Sequence, residues 1–289
     1  MIAIANNIST RKKIIYEALK YRESDKQTEE RIKSGPDVYI KQLAKECVNS
    51  GAEILDVNLQ QRYDTPETME FFVNTIQEVV DNQLCLSAYN TDTLEAGLKA
   101  CKKTPIINHV SLDTTQLQGT LPLAAKYNAE VILFPFYSGS YGKEEDILRL
   151  SGILVGAANE AGIPNERIYI DPGVLHITSE TGQRYAKALT AIIPALREAF
   201  DPPVRTTCWI NNISAGADRK LRRSINNTFL AVISSAGLSA AFIDVLDLEI
   251  MRTLRLINIL VNGEIYANGA IQPKISHTHI KSDYEPALR

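Results

Sequence analysis

The chain has 289 residues, 45% of them apolar and 22% charged, with a formal net charge of −3. This suits one large globular domain or two small ones, and the mildly acidic balance argues against nucleic acid as the main partner. No run of about 18 apolar residues is present, so no membrane span is expected, and the four cysteines, Cys47, Cys85, Cys101 and Cys208, are scattered without a CxxC, so neither a disulfide framework nor a metal site is expected.

Met1 to Asn7 enters a short apolar strand before any basic residue, the reverse of a signal peptide, so a cytoplasmic protein is the expectation. The first strand covers Ile2 to Asn7. Apolar residues at Ile14, Ile15, Ala18 and Leu19 mark a helix over Arg11 to Tyr21, and a polar stretch of undetermined structure follows from Arg22 to Lys33. Pro36 opens the next helix, with Ile40, Leu43, Ala44, Cys47 and Val48 on its buried face and Gly51 as its stop. Strand two is Glu53 to Leu59, where Ile54, Asp56 and Asn58 share a face because strand side chains alternate. A helix starts at Thr65-Pro66. Strand three covers Leu84 to Ala88, then a helix Leu94 to Ala100. Strand four is Pro105 to Ser111, then a helix Leu117 to Tyr127. Strand five is Glu130 to Phe136, then a helix Ile147 to Ala161. Strand six is Arg167 to Asp171, closed by Pro172-Gly173, then a helix Glu180 to Phe200. Strand seven is Val204 to Ile210, then a helix Leu221 to Ser235. Strand eight is Ala240 to Val245, then a helix Leu248 to Leu260.

Eight short strands alternating with amphipathic helices are the arithmetic of an α/β protein with a (β/α)8 TIM barrel, a single domain over 1–271. A doubly wound open sheet is the competitor, weakened because no GxGxxG follows strand one. Residues 272–289 lack periodicity and are expected to form a C-terminal tail.

In a barrel the site lies at the C-terminal strand ends. There the sequence places Asn6, Asn7, Asp56, Asn58, Asn90, Asn108, Asp171, Asn212 and Asp244. Carboxylates and carboxamides suit a neutral heterocycle rich in hydrogen-bonding groups: a carboxylate accepts paired N–H donors, and an amide both donates and accepts. Asp56 inside an apolar strand calls for a partner or a function. His109 is expected to point away from Asn108 by strand alternation. His176 is expected on the surface, His277 and His279 in the tail, and Cys208 and Trp209 in packing.

Ile54-Leu55-Asp56-Val57-Asn58, Leu84-Cys85-Leu86, Glu95-Ala96-Gly97-Leu98-Lys99, Ile107-Asn108, Tyr169-Ile170-Asp171-Pro172, Asn212-Ile213-Ser214 and Asn227-Thr228-Phe229-Leu230-Ala231 follow one another in order. Together they resemble the pterin-binding methyltransferases that move a methyl group between tetrahydrofolate and a corrinoid protein, relatives of the folate domain of cobalamin-dependent methionine synthase. The resemblance runs from Ile2 to Ala267. It implies a (β/α)8 barrel, a homodimer, tetrahydrofolate or methyltetrahydrofolate as substrate, and a corrinoid (cobalamin) carried by a partner protein. By resemblance Asn108 and Asp171 are pterin-ring ligands, Asp56 and Asn58 belong to the same polar floor, and Asn212 is the catalytic amide near N5.

Two departures stand out. The family's aspartate at the end of strand three is replaced by Ser87, within Ser87-Ala88-Tyr89-Asn90, and Asn90 or Asp92 is a candidate to compensate. Strand one reads Ala5-Asn6-Asn7-Ile8-Ser9 where the family has Gly-Glu-Arg-Ile-Asn. Losing a carboxylate facing the pterin costs on the order of 1.5–3 kcal/mol of charge-assisted hydrogen bonding. A pterin-binding subunit with an altered ligand or no turnover is therefore an alternative. Dihydropteroate synthase is another, disfavoured because the chain lacks the lysine-bearing loop after strand seven and the Arg-x-His end of strand eight. The basic cluster around Arg222 and Arg223 is a candidate docking patch for an acidic corrinoid protein or a folate polyglutamate tail.

Overall fold

The computed structural model describes residues 1–12, 15, 16, 19, 35–60, 63–136 and 144–271. Its strands are β1 (Ile2–Ser9), β2 (Ile54–Asn58), β3 (Gln83–Ser87), β4 (Ile106–Val110), β5 (Glu130–Leu133), β6 (Ile168–Ile170), β7 (Arg205–Trp209) and β8 (Ala240–Ile243). All pair in parallel in sequence order, and β8 returns to β1, closing the barrel. The helices are α1 (Pro36–Ser50), α2 (Pro66–Gln77), α3 (Thr91–Ala100), α4 (Thr114–Lys126), α5 (Glu144–Glu160), α6 (Glu180–Glu198), α7 (Arg219–Ser235) and α8 (Leu248–Asn262), with a short α9 (Asn268–Ile271). The fold is the (β/α)8 barrel expected from the strand count. Most of the helix expected over Arg11 to Tyr21, the polar stretch after it and the tail 272–289 lie outside the described residues.

Helix starts carry their own signals. Thr65, Asn90, Asp113, Ser179, Asp218 and Asp247 each accept a first-turn N–H with their side chain. These caps lengthen α3 and α4 upstream of the apolar stripes that marked them in sequence. They also explain Asn90, whose side chain accepts the Asp92 N–H at 2.8 Å. Strand β5 ends at Leu133 rather than Phe136, because Pro135 has no N–H to extend the ladder.

Apolar side chains fill two layers. One lies between sheet and helices. The other fills the barrel and includes Ile4, Ile54, Cys85, Ile106, Tyr169 and Phe242. At its base Arg205 pairs with Glu130 at 2.9 Å, donates to the Tyr169 hydroxyl at 2.6 Å and stacks over that ring. Alternation then dictates the upper interior. On five strands, two residues beyond an interior apolar position comes a polar one: Ile54 to Asp56, Cys85 to Ser87, Ile106 to Asn108, Tyr169 to Asp171, Phe242 to Asp244. The barrel is thus apolar at mid-height and polar at the end where βα loops cluster.

Candidate active site

A cavity of about 1190 Å³ opens at the polar end of the barrel. Asn6, Asn58, Ser87, Asn108, Asn211 and Asn212 line it, with Trp209 and His109 as its larger apolar and aromatic walls. Asn58, Ser87, Asn108 and Asn212, four of the residues singled out in sequence, therefore meet in one place. Asp56 and Asp171 sit at the same end without lining the cavity; they are 0% and 2% exposed. Asn90 is exposed, caps α3 and does not line it either.

The floor is a hydrogen-bonded chain. Ser87 Oγ donates to Asp56 Oδ1 at 2.5 Å, and Asn108 Nδ2 donates to Ser87 Oγ at 2.8 Å. Asn58 Nδ2 reaches Asp56 Oδ2 at 3.3 Å. Asn108 Oδ1 is buried without a partner. Burial pushes the Asp56 carboxyl up to about 7, against the donors from Ser87 and Asn58. Asp171 accepts the Gly173 N–H at 2.8 Å, and burial likewise pushes it up to about 7. Asn7 turns away from the cavity and ties β1 to β8, donating to Asp244 and accepting the Val245 N–H at 3.2 Å.

His109 departs from expectation. The β4–β5 register shifts between Asn108 and Val110, and His109 takes φ of 81°, so the alternation that would turn it outward is broken by a bulge. Its ring packs on Phe134 at 4.0 Å between centroids, and burial lowers its pKa to about 4. Both Asn108 and His109 therefore face the cavity, the imidazole being neutral at pH 7. Trp209 packs as expected, stacking on Phe242 at 4.4 Å, and walls the cavity as well. Asn211, missed in sequence beside its neighbour, also reaches the cavity because Ile210–Ser214 forms a tight 3₁₀ turn that shows both amides on one side. Asn226 Nδ2 donates to Asn211 Oδ1 at 3.3 Å, while the Asn212 side chain is exposed and makes no hydrogen bond among the described residues.

The β6–α6 loop braces this turn. Ile177 N–H donates to Ile213 O at 2.8 Å, and Thr178 Oγ1 to Ala215 O at 3.4 Å. Of the two basic docking candidates, Arg222 Nε donates to Ala217 O at 3.0 Å, and Arg223 forms an ion pair with the buried Asp247 at 2.9 Å. No helix among the described residues is long and apolar enough to cross a membrane.

This arrangement can hold a flat heterocycle by its edges and offers amide groups above it. The Ser87 proton is committed to Asp56, so Ser87 is not placed as a nucleophile.

Comparison with known proteins agrees with the fold. Solved structures of similar fold include a dihydropteroate synthase from Coxiella burnetii in complex with pteroic acid (TM-score 0.64, 15% identity, 89% of this chain and 92% of that one). Another is Yersinia pestis DHPS with a pterine-sulfa conjugate (TM-score 0.63, 14% identity, 89% and 93%). A curated relative from Eubacterium limosum, methylcorrinoid:tetrahydrofolate methyltransferase, is 23% identical over 237 residues, covering 81% of this chain and 86% of that protein. The family model described as pterin binding enzyme matches residues 24–242. That match runs from before α1 to Phe242 in β8, well over half the chain, and the chain therefore belongs to the pterin binding enzymes.

Proposed function

We propose that the chain is a methyltransferase moving a methyl group between the cobalt of a corrinoid protein and N5 of tetrahydrofolate. The observation that carries this reading is the loop after β7: Asn212 presents an exposed amide to the cavity where a synthase would need a lysine. The Eubacterium limosum relative, named for this transfer, supports it.

The chemistry needs such an amide. When N5 of tetrahydrofolate takes the methyl, its lone pair forms the new N–C bond, the bond from methyl to cobalt breaks with its electron pair left on the metal, and the N5 proton departs. In the reverse direction N5 must be protonated before it leaves. An amide accepts from N5–H or donates to the N5 lone pair without itself titrating. Asn58 and Asn108, which line the cavity, bind the ring, with Asp56 and Asp171 behind them, and the surrounding walls hold it in one orientation, which supplies much of the rate.

The corrinoid belongs to the partner protein. Arg222 and Arg223, near the start of α7, form the proposed docking face. A homodimer is part of the same reading, and sedimentation as a monomer would remove it. We place the protein in the cytoplasm, where reduced folates are used.

Calorimetric titration with tetrahydrofolate and methyltetrahydrofolate, followed by a methyl-transfer assay with a methylated corrinoid protein, tests the assignment. Native protein should bind both folates and turn over. Asn212→Ala should keep folate binding within a few-fold and lose about tenfold or more in kcat/KM, the scale of one positioned polar group. Binding without transfer by the native protein would replace the enzyme with a pterin-binding subunit that lacks turnover. That second reading is motivated by Ser87, where the family has an aspartate.

A further inference from the structure

We propose that Asp56, acting through Ser87, fixes the Asn108 amide with Oδ1 toward the cavity, so that the site selects a ligand edge bearing N–H or O–H groups. Asp56 is then a positioning residue for a ligand it does not touch. The inference rests on the folate reading only for the identity of that ligand.

The reasoning is proton counting. Ser87 Oγ lies 2.5 Å from Asp56 Oδ1 and 2.8 Å from Asn108 Nδ2. A serine hydroxyl has one proton to give, and an ionised carboxylate only accepts. The proton therefore goes to Asp56, and Ser87 must accept from its other neighbour. The donor end of the Asn108 amide is Nδ2, so the amide orientation is set by chemistry. What remains is Oδ1: buried, without a partner, on a residue that lines the cavity. A buried acceptor in that state is incomplete until a donor arrives.

Ser87 is what allows this. An aspartate there would set two carboxylates against each other, and one would have to keep a proton. With serine, the negative charge is withdrawn to β2 and reaches the ligand only as the direction of an amide.

Protonating Asp56 reverses the chain. Its new O–H donates to Ser87 Oγ, the Ser87 hydroxyl turns to Asn108 Oδ1, and the rotated amide shows Nδ2 to the cavity. One proton thus converts an acceptor into a donor, and burial brings that proton near neutral pH. The groups facing Asp56 are Asn58 on its own strand, Cys85 and Ser87 on β3, and the uncharged Asn6 and Asn7 at the β1 bulge, where Asn7 is already taken by Asp244 and the Val245 N–H. Beyond them, His109 on β4 is neutral above about 4, Asp171 is held by Gly173, and Asp244 by Asn7 and Leu246. Glu130 acts on Cys85 from the barrel base.

Two measurements test it. The first needs no ligand: the Asn108 side-chain amide is followed by ¹⁵N NMR between about pH 5.5 and 8.5. It should titrate with a midpoint near 7 in native protein. The titration should be lost in Ser87→Ala and Asp56→Asn and kept in Ser87→Thr, which retains the hydroxyl. An Asn108 amide that does not titrate, or titrates alike in native and Ser87→Ala, overturns the proposal. The second is the calorimetric Kd for tetrahydrofolate over the same range. Native protein should bind about tenfold more tightly than Ser87→Ala at the alkaline end, a difference that vanishes at the acid end. Asp171 titrates in both proteins and cancels. Superimposable profiles overturn the relay. An NMR titration that behaves as expected with no folate binding by any variant keeps the relay and sinks the folate reading.

Discussion

Asp171 is a buried carboxylate at the polar end of the barrel that costs the fold stability. It is 2% exposed and holds one backbone N–H, so its charge is desolvated with little return. Its carboxyl sits at about 7 in the folded protein against an ordinary value of 3.8. Between those limits the folded state binds the extra proton. The stability this confers is full below the ordinary value and is lost as pH rises through about 7. Asp171→Asn should therefore raise the melting temperature at pH 8 by about 2 °C or more, with a smaller gain at pH 5. The same change should leave folate binding within a few-fold, because Asp171 does not line the cavity. Thermal melts at the two pH values and a titration check the pair, and a variant melting lower at pH 8 would contradict the burial account. His109 carries a different cost. Its positive φ disfavours a side chain, and the bulge that imposes it brings the imidazole to the cavity wall.

At the scale of elements, the loops are cross-braced more than the strands require. Asp64, before α2, accepts from the backbone N–H groups of Tyr89 and Asn90 at 2.8 and 3.1 Å, fixing the loop that follows Ser87. The β6–α6 loop holds the turn bearing Asn211 and Asn212 through Ile177 and Thr178. That loop depends on Gly182 in the first turn of α6. A Cβ there would lie 1.9 Å from the His176 carbonyl oxygen, a backbone atom that cannot rotate aside. Gly182→Ala should cost about 1–3 kcal/mol in denaturant unfolding, the range for overpacking. On the proposed function it should also lower kcat for methyl transfer more than Asp171→Asn does, because the displaced loop carries the turn bearing Asn211 and Asn212 with it. Normal turnover in a destabilised Gly182→Ala protein would uncouple the loop from the turn.

For the whole molecule, the proposed function asks two things of the βα end of the barrel, to hold folate and to meet a corrinoid protein. Arg222 and Arg223 are unequal as docking groups. Arg223 is paired with Asp247, which is 3% exposed, so reversing it sets two carboxylates together and disturbs the start of α8. Arg222 donates to a backbone carbonyl and is the cleaner probe. Arg222→Glu should slow association with an acidic corrinoid protein severalfold at low salt and little near about 1 M salt, where the screening length falls to about 3 Å. Stopped-flow association at two ionic strengths reads this, and equal rates at low salt would remove Arg222 from the docking face.

Alternation was legible without coordinates. Ile54, Asp56 and Asn58 fall on one face because strand side chains repeat every second residue, and eight such strands separated by helices leave closure as the natural outcome. That was enough to gather Asn58, Ser87, Asn108 and Asn212 at one end. Sequence could not give what depends on neighbouring strands. The bulge that turns His109 inward is a mismatch between β4 and β5, invisible in either strand alone. Asn90 reads as a site residue until the start of α3 claims its side chain. Ser87 reads as a lost carboxylate until Asp56, one strand over, is found 2.5 Å behind it. Period and composition are local properties that a chain carries by itself. Register, capping and hydrogen-bond direction exist only between elements, and the closed barrel sets them.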